Sequence, residues 1–180
     1  MWTLAVLFAL LLLAARRVQP LAPQRDVSGF LARIEPFEQA IRRATDGTWG
    51  PVVDPDVVRA IIWQESRGDP NAVRLERTGQ VARGLMQVTE PAARDVGFAG
   101  GGEVLLNPSL NIMYGTMYLY KQFEDFGGTP AWPQSAYDAI AAYNAGPTTV
   151  RKWKERQEPY ANQDYVDSVV AFWRALKQVA

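Results

Sequence analysis

Glu65 is a carboxylate in apolar company. It stands in Ile61-Ile62-Trp63-Gln64-Glu65-Ser66, four residues after Ile61 and three after Ile62. On a helix that spacing puts all three on one face. An ionised carboxylate among apolar side chains is unfavourable, and desolvation raises its pKa. A carboxylic acid held protonated in this way can serve as a general acid. A helix turned slightly about its axis would instead leave Glu65 at the solvent edge. The rest of the composition narrows the chemistry. There is no histidine and no cysteine in the 180 residues, which excludes serine–histidine catalysis, a thiol nucleophile, disulfides and histidine-bound zinc.

Three further stretches carry residue types suited to a site. Glu65 runs on into Ser66-Arg67-Gly68-Asp69-Pro70-Asn71-Ala72-Val73. Gly84-Leu85-Met86-Gln87-Val88 follows, and much later Ala141-Ala142-Tyr143-Asn144-Ala145-Gly146-Pro147. Gly84 lets backbone come close to a cleft, and Gln87 carries both a donor and an acceptor for an acetamido group or hydroxyl. The Tyr143 hydroxyl suits a hydrogen bond to Glu65 or to a substrate oxygen. Each motif also has a plainer reading, as a core turn with an exposed Gln87 and as a buried structural tyrosine.

Taken in order, these motifs resemble the catalytic domain of the soluble lytic transglycosylase (SLT) family, lysozyme-like enzymes that cleave peptidoglycan. The resemblance runs from about Phe37 to Leu176. It implies a mainly α, lysozyme-like helical domain, to which the Arg74–Val81 stretch adds a small β-hairpin beside the active-site cleft or, alternatively, a solvated surface loop. It implies Glu65 as the catalytic residue, with Ser66, Met86, Gln87, Tyr143, Asn144 and Tyr165 as substrate-binding residues. It further implies cleavage of the β-1,4 bond between N-acetylmuramic acid and N-acetylglucosamine, closing a 1,6-anhydro ring. One carboxylate suffices there, since the substrate supplies the nucleophile, and no metal or organic cofactor is implied. Two departures stand out. Arg74 to Val81 is longer and more charged than the family's short serine- and glycine-containing connection, and Ala161-Asn162 replaces the Glu-Thr pair usual before Tyr165-Val166. A hydrolase using water and a second carboxylate, Glu76 or Asp69, is the main alternative. A silent peptidoglycan-binding module is the other.

The elements that must position these residues are legible. Asp54-Pro55 is a cap followed by proline at a helix start, with Val57, Val58, Ile61 and Ile62 as the apolar stripe. Pro36 divides the run Phe30, Ile34, Phe37, Ile41 into two short helices or starts the second of them. Gly68 is a candidate cap for the Glu65 helix, and Asp69-Pro70-Asn71 a turn. Leu75, Gly79 and Val81 suggest a hairpin. Asn107-Pro108 opens a long helix with Leu110, Met113, Met117, Tyr120 and Phe123 towards the core, and Gly115 allows close helix approach. A helix from Tyr137 feeds the Asn144–Pro147 turn, and a last helix carries Val166, Val169, Val170, Trp173 and Leu176.

The chain divides into a leader at 1–17, a linker at 18–28 and the SLT-like domain at 29–180. Trp2 to Ala15 is apolar except for Thr3, then Arg16-Arg17 follows. At about 1.5 Å per residue the run reaches roughly 21 Å, short of a hydrocarbon core of about 30 Å. That length suits a signal-peptide h-region, yet Leu13 stands where a cleavage site wants a small residue. A retained short anchor is slightly preferred. Arg16-Arg17 would favour a cytoplasmic domain, which conflicts with a peptidoglycan substrate unless the chain belongs to a phage virion or inserts against the rule. Localisation is therefore expected at the bacterial cell envelope, with a phage virion as the alternative. Nineteen basic and nineteen acidic residues cancel, so nothing points to nucleic acid. The expected partners are glycan strands and, through the leader, a membrane. The catalytic domain is read as monomeric.

Overall fold

The structure, a computed structural model, describes residues 24–127 and 136–179, with side chains from Val27 onward. The leader at 1–17 and the first part of the linker lie outside these residues. Helix α1 (Gln24–Ile34) begins within the stretch read as linker. Its Val27, Phe30 and Ile34 are buried, a helical stripe that starts just after Pro23, the last proline of the stretch read as linker. A 3-10 turn at Glu35–Phe37 follows, then α2 (Glu38–Thr45), so Pro36 does divide the run.

Helix α3 (Pro55–Ser66) starts as its cap predicts: the Asp56 amide donates to Asp54 Oδ1 at 2.9 Å. It ends on Arg67, not on Gly68. Arg67 takes the left-handed conformation, φ 56°, and its guanidinium lies 3.4 Å from the Trp63 ring centroid. Stacking of this kind helps hold a conformation a non-glycine residue seldom adopts.

Three short strands come next, β1 (Val73–Leu75), β2 (Val81–Arg83) and β3 (Val88–Thr89), in one antiparallel sheet of order β1-β2-β3. The expected hairpin is present as β1–β2, with Arg74 opposite Ala82. The Glu76 amide closes its end on the Gln80 carbonyl at 2.8 Å. Strand β3 was not anticipated, since Val88-Thr89 is too short to show alternation. Then follow α4 (Glu90–Arg94), a 3-10 turn at Gly102–Leu106, α5 (Pro108–Phe126), α6 (Tyr137–Ala145), α7 (Pro147–Glu155) and α8 (Gln163–Leu176).

Helix α3 packs chiefly on α8, and α5 lies between α2 and α6. Trp63 stacks on Phe172 at 4.3 Å between centroids, and Phe30 meets Phe172 edge-on at 5.4 Å. The apolar stripes of α3 and α8 are buried as the sequence indicated. The stripe of α5 is rotated from expectation. Ile112, Gly115, Leu119 and Phe123 are buried together with Asn111, Thr116 and Gln122, whereas Leu110, Met113, Met117 and Tyr120 are half-buried. With neighbours on two sides and apolar residues all round, α5 offers no single stripe to read.

Candidate active site

The end of α3, the hairpin, the β2–β3 turn and the end of α6 enclose a cleft of ≈ 480 Å³. Glu65 lies in its wall with a side chain only 5% exposed. Desolvation pushes this carboxyl above the usual glutamate value, against the opposing pull of a Tyr165 hydrogen bond and the Arg74 charge. The Tyr165 hydroxyl, from α8, donates to Glu65 Oε1 at 2.7 Å. Burial, with Glu65 nearby, drives the phenol well above its own usual range, so it stays a donor. The other oxygen, Oε2, lies 3.4 Å from Arg74 Nη2, longer than the roughly 2.7–2.9 Å of a close charge-assisted bond. Arg74 is held more tightly by Glu76, Nε to Oε1 at 2.8 Å. A buried carboxyl at a cleft, with one oxygen closely held and the other more loosely, is able to give and recover a proton.

The Gly84–Gln87 turn is built on α5. A Cβ on Gly84, φ 70°, would meet Asn111 Nδ2 at 2.6 Å and the Leu105 carbonyl at 3.0 Å, so only glycine fits. Asn111 is fully buried and joins three segments. Its Oδ1 accepts from the Met86 amide at 2.8 Å, while Nδ2 donates to the carbonyls of Arg83 at 2.7 Å and Leu105 at 2.8 Å. Gln87 adopts φ 48°, a left-handed backbone that turns its side chain back over the turn. Its Nε2 donates to the Ala72 and Gly84 carbonyls, both at 3.0 Å. The donor expected for substrate is thus committed, and Gln87 brings its acceptor Oε1 to the cleft.

Glu65, Gln87, Tyr143 and Asn144 come together around the cleft. Tyr165 reaches it through Glu65. Ser66 and Met86 do not line it. The Ser66 hydroxyl donates to the Leu85 carbonyl at 2.7 Å, tying α3 to the turn. Met86 is fully buried, its sulfur filling the gap left by Gly115, where a Cβ would come within 2.6 Å. Gly115 therefore makes room for a side chain, not for a neighbouring helix. Tyr143 donates to the Met86 carbonyl at 2.8 Å, so the hydroxyl on Glu65 is that of Tyr165. Asn144 Oδ1 accepts from Asn162 Nδ2 at 3.0 Å, and Asn162 stands where the family pair is replaced. Asp69 caps its own turn through the Asn71 amide at 2.9 Å and is not a cleft residue, whereas Glu76 is one. Sequence reasoning missed Arg74 and Asn111 as site-building residues. The alternation Val73-Arg74-Leu75 pointed to Arg74 on the face opposite its neighbours, and Asn111 lies one helical turn before Gly115 on one face.

A helical domain with a small sheet beside one cleft and a buried carboxyl in its wall is a lysozyme-like arrangement. The transglycosylase SLT domain family matches residues 44–166, more than half of the chain, and the chain belongs to that family. The chain is 32% identical over 115 residues to the X polypeptide of Escherichia coli, an overlap of 63% of this chain and 64% of that protein. It is 33% identical over 113 residues to the soluble lytic murein transglycosylase of Escherichia coli K12, covering 59% of this chain and 16% of the relative. The crystal structure of the 70 kDa soluble lytic transglycosylase from Escherichia coli superposes with a TM-score of 0.64 at 26% identity, over 79% of this chain and 24% of that one. The matched region thus spans under two thirds of the X polypeptide and a smaller share of the larger relatives.

Proposed function

We propose that this protein is a peptidoglycan lytic transglycosylase, with Glu65 acting first as acid and then as base. The observation that carries this reading is the Glu65 carboxyl, 5% exposed at a cleft, with Oε1 held by the Tyr165 hydroxyl at 2.7 Å. Because Oε1 accepts from Tyr165, the proton of the neutral acid belongs on Oε2, the oxygen left for the glycosidic bond. Transfer of that proton to the bridging oxygen breaks the C1–O bond and releases N-acetylglucosamine with a free 4-hydroxyl. The substrate's own acetamido oxygen stabilises the developing oxocarbenium charge, as in substrate-assisted glycosidases. The Glu65 carboxylate then removes the proton of the muramic C6 hydroxyl, whose oxygen bonds to C1. The acid is restored and 1,6-anhydro-N-acetylmuramic acid forms.

Gln87 Oε1 and Asn144 are the polar groups that would meet the sugar. Tyr143 borders the cleft with its hydroxyl turned to the Met86 carbonyl, and Met86 and Ser66 shape the cleft from behind it. The site of action is the bacterial cell envelope, with a phage virion as the alternative, and the 1–17 leader brings the domain to a membrane, retained in preference to cleaved. Glu76 on the cleft wall supports a second reading, a muramidase in which a second carboxylate activates water. Incubating the full chain with purified sacculi and weighing the products separates the readings. Anhydro ends are expected, reducing ends would establish the muramidase, and intact glycan would leave only a binding module.

A further inference from the structure

We infer that Arg74, supplied by the β1–β2 hairpin and steered by Glu76, is a positioning residue that stabilises the Glu65 carboxylate as its proton departs. The inference rests on the acid–base reading of Glu65. Strand β1 is three residues long and exposed throughout; its alternation sets Val73 and Leu75 to one side, while Arg74, its side chain half exposed, lines the cleft on the other. There its guanidinium spans two carboxylates. Nε meets Glu76 Oε1 at 2.8 Å and Nη2 stands 3.4 Å from Glu65 Oε2. Oε2 is the oxygen that must hold and lose the proton, since Tyr165 occupies Oε1. A cation poised beside that oxygen interacts weakly with the neutral acid and strongly with the carboxylate, so its contribution grows as charge develops. Glu76 acts in the opposite sense. It anchors the guanidinium short of Glu65 and adds a negative charge that disfavours a second one nearby.

The groups facing Glu65 are Tyr165 from α8, Tyr143 from α6, and Arg74 and Glu76 from the hairpin. Both phenols are buried neutral donors whose hydrogen bonds go elsewhere or to Oε1. The two hairpin charges are thus the ionic groups that set the protonation of Oε2, and they do so with opposite signs.

The test reads the Glu65 carboxyl directly, by carbon-13 titration of the full-length protein labelled at glutamate, with the resonance assigned by its loss in Glu65→Gln. The pH–rate profile on sacculi is recorded beside it. Arg74→Gln should move the Glu65 titration and the alkaline limb of the profile to higher pH, because the carboxylate loses its counter-ion. Glu76→Gln keeps an acceptor for Nε and removes the competing charge, so both should move to lower pH. Arg74→Lys, which keeps the charge, should fall between Arg74→Gln and wild type. Shifts of one sign in both glutamine variants, or no shift in either, would overturn the role. A wild-type protein that releases no anhydro ends would sink the activity reading, and the carboxyl titrations would still decide the charge assignment.

Discussion

In the proposed mechanism the chemistry turns on Glu65, and its removal is the sharpest test. Glu65→Gln is nearly isosteric, so the fold should persist while turnover on sacculi drops about 10²- to 10⁴-fold, the usual worth of general acid–base catalysis. The two tyrosines should then behave differently from each other. Tyr165→Phe removes the 2.7 Å bond to Oε1. It should lower activity by an amount set by a charge-assisted bond, about 1.5–3 kcal/mol, and move the alkaline limb to higher pH because that bond favours the carboxylate. Tyr143→Phe leaves the Met86 carbonyl without its donor. Its effect should appear in the urea midpoint, at about 1–3 kcal/mol, more than in turnover per folded molecule. The burial of Glu65 was one of two readings that its spacing to Ile61 and Ile62 allowed, and the motifs that follow it decided between them. Which phenol touches it was not legible, because Tyr143 and Tyr165 lie on different helices, and only three-dimensional packing decides between them.

At the scale of elements, the cleft is a turn and a hairpin mounted on helices. Capped helix starts at Asp54-Pro55 and Asn107-Pro108 were readable because the side-chain acceptor and proline there lead into a run of apolar residues at helical spacing, as Asp69-Pro70 does not. The rotation of α5 was not, since polar residues on its buried side serve other segments. Asn111 shows why: its three hydrogen bonds run to Met86, Arg83 and Leu105. Asn111→Ala should lose roughly 3 kcal/mol or more in denaturant unfolding, because the buried partners of the amide are all left unpaired. Gly115→Ala tests the same contact from the other direction. A methyl there would stand 2.6 Å from Met86 Sδ. Over-packing of this kind costs about 1–3 kcal/mol, and it should also displace the Gly84–Gln87 turn and lower activity.

For the whole molecule, the acid is held at the expense of stability. A carboxyl whose folded pKa lies above its unfolded value binds more protons when folded, so stability falls as pH rises between the two values. Glu65 is such a group, with burial as the leading cause. Glu65→Gln should therefore melt higher than wild type at neutral pH, and the gap should close as pH falls below the ordinary glutamate range. Equal melting temperatures across that window would show that Glu65 carries no such strain. The junction at Asn111 has a different consequence, in the language of amide exchange. The Met86 N–H is tied to Asn111 Oδ1 at 2.8 Å inside the core, with the Tyr143 hydroxyl on the carbonyl of the same residue. It cannot meet deuterium by a local flutter of the turn. It should exchange only when the sheet separates from α5, together with the slow central amides of that helix, so that cleft and core open as one cooperative unit.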